Sequence, residues 1–234
     1  MFGISIESTI KEGIDFLEKA KNSIPYALSQ SLNETAKNIK AGEVDEMRNA
    51  FDRPTPFTLN SLWIRFAQKD DLTAEVGFRD FAGKGTPAGH YLQPQVDGGG
   101  RPMKKSEKML GAFWVPAPGV KLDRYGNISP GQITQILSVL GAFPQVGYSM
   151  NRSRRSRQQN KKPRDYFIVR RGDQNHLRPG VWERLGGHRL RPILFFIDAP
   201  SYQIRYRFYE VAEKVLKEGI QDNFNIAIVR ELLR

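Results

Sequence analysis

His90, His176 and His188 are the chain's three imidazoles, and imidazole is the side chain most often used to move a proton or hold a metal near neutral pH. They lie far apart in glycine- or arginine-rich surroundings, and there is no cysteine to complete a thiolate site. Zinc needs several nitrogen, sulfur or oxygen ligands at close spacing. This pattern offers no such set, and solvated loop histidines are expected. The acids are no more suggestive. Asp70-Asp71 sits where a hairpin should turn, a place that favours Asp for its local hydrogen bonding, and Asp45-Glu46 falls on a helical surface. The glycines of VDGGGRP are not followed by Lys-Ser/Thr, so they read as a hinge and not as a phosphate loop. There is no G-x-S-x-G nucleophile elbow, and Arg171-Gly172-Asp173 reads as a turn after a strand. The expectation is a protein that is not an enzyme, with no catalytic residue, metal ligand or cofactor.

One segment does carry a chemical signal. Asn151 to Arg164, NRSRRSRQQNKKPR, holds seven cations and no acid. The formal charge of the chain is +11, so the other 220 residues carry only +4. Arg152, Arg154, Arg155, Arg157, Lys161, Lys162 and Arg164 are therefore the candidate DNA- or partner-contacting residues. No aromatic residue interrupts them, whereas single-strand binders interleave stacking rings. Duplex readers present cations from a structured helix or ribbon. A flexible basic loop neutralises phosphates without reading sequence, with strongly salt-dependent affinity. An acidic protein face would serve as well, and a merely solvated loop is the plainest alternative.

Elements must position these residues. The chain has 234 residues, 39% hydrophobic and 11% aromatic, enough for a substantial core. No apolar run approaches the length of a membrane span, and MFGISIESTIKEGIDF, with Glu7, Glu12 and Asp15, does not resemble a secretory signal. Residues 6–50 show a helical period, with Pro25 as a kink or a new start and Gly42 as punctuation. Leu62 to Ala67 and Leu72 to Arg79 alternate as the arms of a hairpin. Strands are expected at 166–171 and 190–198, a short strand or turn at 180–185, and a final helix over 202–234 with a break near Asp222-Asn223. The class expected is α+β: a mostly antiparallel sheet of about four strands packed by N-terminal and C-terminal helices. Residues 81–164 are dense in glycine and proline. They read as a loop-rich insertion with one short helix near 130–140, leaving 1–80 and 165–234 as the core domain.

Two stretches together also resemble a known family. They are ALSQSLNETAKNIKAG with FDRPTPFTLNSLWIRFAQKDDLTAEVGFRD, and GVWERLGGHRLRPILFFIDAPSYQIRYRFYEVAEKV. They look like minor tail protein Z and related tail-completion or neck proteins of tailed bacteriophages. The matching phrases fall at Ala27 to Ala36, Arg53 to Thr58, Gly180 to Arg184 and Tyr202 to Phe208. The resemblance implies a structural virion protein at the head–tail junction, made in the host bacterial cytoplasm. It implies a homo-oligomeric ring, with portal, adaptor, tail tube or terminator proteins as partners and non-specific contact with DNA. It brings no active site. The 81–164 stretch departs from the shorter family members, and LGAFWVPAPGV within it suits wrapping around neighbouring subunits. The competing reading is a sequence-independent nucleic-acid binder using residues 151–164.

Overall fold

The computed structural model describes residues 6–81, 85–142, 164–174 and 176–233, with backbone alone for 6–16 and Asn22. The expected α+β class and a four-stranded antiparallel sheet are both present. The chain divides into two compact units. One takes the described residues of 1–83, 87–92 and 205–234, and the other those of 84–86 and 93–204.

The first unit is built on two long helices, α1 (Ile6–Ala50) and α6 (Phe208–Leu232), joined by a small hairpin. The α1 helix spans 45 residues, about 67 Å at 1.5 Å per residue. It runs through both expected interruptions. Pro25 removes one backbone donor, but packing along α6 outweighs that local loss. Gly42 faces α6 so closely that a Cβ there would lie 3.3 Å from Val215 Cγ2. The small buried residues Ala27, Ser31, Thr35 and Ala36 continue this face. The expected break at Asp222-Asn223 is absent as well. Asn223 Nδ2 donates to Thr35 Oγ1 at 2.9 Å, so the polar residue is absorbed by the neighbouring helix. After α1 comes the short helix α2 (Pro56–Leu59), whose first turn Thr55 caps with its hydroxyl. The hairpin arms β1 (Leu62–Arg65) and β2 (Glu75–Phe78) pair as expected, from Leu62↔Phe78 to Arg65↔Glu75. Among the described residues they form a sheet of their own. Asn33 of α1 anchors the strand exit by donating from Nδ2 to the Ala67 carbonyl at 3.0 Å and accepting the Ala67 N–H at 2.7 Å. Helix α3 (Ala88–Asp97) leads from the first unit into the second.

The second unit moves the boundary drawn from composition. The stretch 81–164 is expected as a loop-rich insertion on a core of 1–80 and 165–234, but its described residues from 93 to 142 fall in one compact unit with the described residues of 164–204. They supply half of one structure. In chain order come β3 (Gly99–Gly100), α4 (Lys105–Leu110), β4 (Phe113–Pro116) and α5 (Pro130–Val139). Then follow β5 (Asp165–Val169), β6 (Gly180–Arg184), β7 (Leu190–Ile197) and β8 (Ser201–Tyr202). The four-stranded sheet has the order β4-β7-β6-β5, so β4 from the glycine-rich stretch is one of its strands. Its partner register runs from Phe113↔Ile197 to Pro116↔Leu194. The FWVP segment expected to wrap a neighbour is thus paired within the chain, and Ala117 and Val120 just after it are buried. The core joins Leu110, Ile136 and Leu137 from the two helices to Tyr166, Val181, Ile193 and Leu194 from the sheet. Frequent glycine and proline here mark the turns between many short elements, and turns do not preclude a packed core. The expected helix near 130–140 is α5, capped by the Ser129 hydroxyl.

Candidate functional site

Of the seven basic candidates, Arg152, Arg154, Arg155, Arg157, Lys161 and Lys162 lie outside the described residues. Arg164, the last, sits at the mouth of β5. Its Nη1 donates to the Tyr166 hydroxyl at 3.3 Å, and its Nε lies 3.8 Å from Glu183 Oε1. Glu183 is buried and also accepts from Arg191 Nη2 at 2.6 Å. Arg164 is therefore partly a fold residue, one of two guanidiniums on a single carboxylate. Tyr166 is buried, which pushes its phenol up, although the Arg164 contact opposes this.

All three histidines are solvent-exposed, His90 on α3 and not in the expected loop, and no group of three metal-ligating side chains occurs among the described residues. No helix among them is long and apolar enough to cross a membrane.

The sheet gives its two faces different work. Trp114, Ile168 and Phe196 look into the core. The opposite face carries Phe167 on β5, Trp182 on β6 and Phe195 on β7, all half-buried. Phe167 and Trp182 are direct partners across the strands, and the Trp182 and Phe195 rings meet edge to face at 6.2 Å between centroids. Each outer ring of this row has an arginine beside it. Arg184 lies 4.3 Å from the centroid of Phe167, and Arg178 lies 4.5 Å from that of Phe195. The alternation within DYFIV, GVWER and PILFF is the sequence signal that marks this face; a search centred on the basic segment misses it, because the rings do not fall inside that segment.

A buried ionic cluster braces the same unit. Arg101 donates to both carboxylate oxygens of Glu107 at 2.6 Å and to the Tyr202 hydroxyl at 3.0 Å. The two side chains are 8% and 1% exposed. Burial alone would raise the Glu107 carboxyl. The Arg101 guanidinium and the Lys104 main-chain N–H outweigh that and hold it below the usual carboxylate range.

The first unit buries a carboxylate differently. Glu43 of α1 is fully buried, and neither of its carboxylate oxygens has a hydrogen-bond partner among the described atoms. The Tyr206 hydroxyl lies beside it, 3.5 Å from the Glu43 main-chain oxygen. The Tyr206 ring itself is packed among Phe51, Phe78 and Phe208. Burial pushes the Glu43 carboxyl up to about 7; Glu46 and Glu210 push the same way, and Tyr206 opposes them. Glu43 is not among the residues singled out from the sequence, although a lone acid on the apolar stripe of a helix is a detectable signal.

The outer surface of this unit is unusually apolar in places. On α6, Ile226, Val229 and Leu233 just beyond its end are 57%, 54% and 83% exposed. Leu17 and Ile24 of α1 are exposed too, near the α6 end where Lys19 Nζ donates to the Leu232 carbonyl. A cleft of about 720 Å³ lies between Phe57, Trp63 and Phe81, with Arg79 and Asp80 on its wall.

Compared with known proteins, the chain matches no family model, no curated protein and no solved structure.

Proposed function

We propose that the chain is a structural virion protein of a tailed bacteriophage at the head–tail junction. It joins the tail or tail tube to the connector around the DNA channel. The observation that carries this reading is the apolar stripe Ile226, Val229 and Leu233, spaced three and four residues apart. Side chains at that spacing share one helix face. Contiguous exposed apolar surface of this kind marks a protein–protein contact. The resemblance to tail-completion proteins names the kind of assembly. Its phrases bear residues that fix the fold: Asn33 and Thr35 on α1, Thr55 and Thr58 at α2, Glu183 on β6, and Tyr206 before α6. Rings around an axis use heterologous contacts that close by rotation, and an exposed helical stripe provides one side of such a contact.

The test is the native mass of the full chain at moderate salt, alongside the triple variant Ile226→Ser, Val229→Ser, Leu233→Ser. A closed species of fixed copy number is expected from the parent chain, alone or on purified connectors, and dissociation to monomer from the variant. A parent chain that stays monomeric and fails to incorporate into phage particles on complementation overturns the reading.

A further inference from the structure

The basic segment lacks rings, but the strand it leads into has them. Residues 151–163 hold six cations and run directly into β5, an edge of the four-stranded sheet. On the face away from the core stand Phe167, Trp182 and Phe195, one from each of three adjacent strands. The stretch from Arg164 to Asp198 carries seven arginines against four carboxylates, and Arg178 and Arg184 are those set against the rings. Half-buried rings in a row, flanked by guanidiniums, provide the two contacts that an unpaired polynucleotide needs. Bases stack on aromatic faces with little regard to sequence, and phosphates take the cations. A four-stranded sheet is a suitable platform because its pleat sends alternate side chains to one face.

We propose that this outer face binds single-stranded nucleic acid, with bases stacked on Phe167, Trp182 and Phe195 and phosphates met by Arg178 and Arg184. The guanidiniums are held loosely enough to move. Arg178 rests on the Phe195 ring, and Arg184 pairs with Asp165 at 3.1 Å with both side chains about half exposed. Contacts of that kind contribute little to stability, so a phosphate can draw either arginine off its ring and leave the ring to a base. The rings stand on three adjacent strands of one face, with Trp182 and Phe195 meeting edge to face. Bases within a duplex are stacked on one another and cannot reach them, so a single strand is the occupant that fits. An acidic peptide would satisfy the arginines and leave the rings unused.

The test uses the full chain and fluorescence anisotropy with a labelled oligothymidylate, an abasic strand of equal length and charge, and a duplex. Oligothymidylate is expected to bind at least about tenfold more tightly than the abasic strand, the scale of one stacked base. Phe167→Leu, Trp182→Leu and Phe195→Leu should each remove about that factor for oligothymidylate and leave abasic binding unchanged. Trp182→Phe should retain most of the affinity, since a ring remains. Equal binding of the two strands by the parent chain overturns the proposal, and that comparison needs no variant to fold. Preference for the duplex, or equal competition by an oligoglutamate peptide, overturns it as well.

Discussion

Glu107 and Glu43 are both buried, one in each unit, and their surroundings are opposite. Glu107 meets the guanidinium fork of Arg101, itself held by the Tyr202 phenol, and a main-chain N–H. Glu43 meets a tyrosine, hydrophobic rings nearby and two like charges. A carboxylate taken out of water must be matched by donors or give up its charge. The unit of short elements uses the first solution. It has few long helices to define its register, and the Arg101 fork ties α4 to β8 through Tyr202. The helix-pair unit uses the second and retains a group that titrates close to neutrality. The two units should therefore respond to pH in opposite senses.

The largest effect is expected from Arg101→Met. Removing one partner of a buried pair strands the other charge, at a cost of about 3–5 kcal/mol. Urea unfolding at neutral pH should show that loss, and a shift below about 1 kcal/mol would mean that Glu107 finds water or another donor. Next comes Glu43→Gln. The folded value of Glu43 is raised from 4.5 to about 7. Its protonated form is thus favoured in the fold, and the associated stability is complete below the unfolded value. That stability is lost as pH rises through the window from 4.5 to about 7. The neutral amide of the Glu43→Gln variant should leave stability near the parent's at acid pH and exceed it by up to about 3 kcal/mol above the window. Parallel pH profiles for the two proteins would rule out Glu43 as the titrating group. Glu107 has the reverse sign: its value is held low, so its contribution is present above the ordinary carboxylate range and is lost as acid protonates it. The smallest effect is expected from Asp165→Asn, which breaks the exposed pair with Arg184 and should change stability by no more than about 0.5 kcal/mol. A larger loss would show that this pair fixes the sheet edge.

The parts legible in the sequence were those where a local period meets a local signal. The hairpin alternation of Leu62 to Phe78, the Ser129-Pro130 helix start and the three strands after Arg164 all fall where expected. Pro25, Gly42 and Asn223 misled because each is a breaker by local chemistry. Each is tolerated or used by the opposite helix, which a single segment does not reveal. The domain boundary misled for a related reason, since β4 finds its partner β7 more than seventy residues later in the chain. Charge was easy to locate, while the ring row was not. Phe167, Trp182 and Phe195 come from three separate strands, and pairing alone makes them neighbours.

The position of β5 has one more consequence. Among the described residues it is an edge strand, reading DYFIV, apolar and rich in β-formers, with one side unpaired in the sheet order. Open edges of that composition invite a second chain to add on and propagate into aggregates. The approach to this edge in sequence is a run of cations ending in Pro163, and like charge together with proline is how natural sheets discourage such addition. Charge and proline at this point of the sequence are of the kind that opposes such addition, and high ionic strength screens the charge part of it.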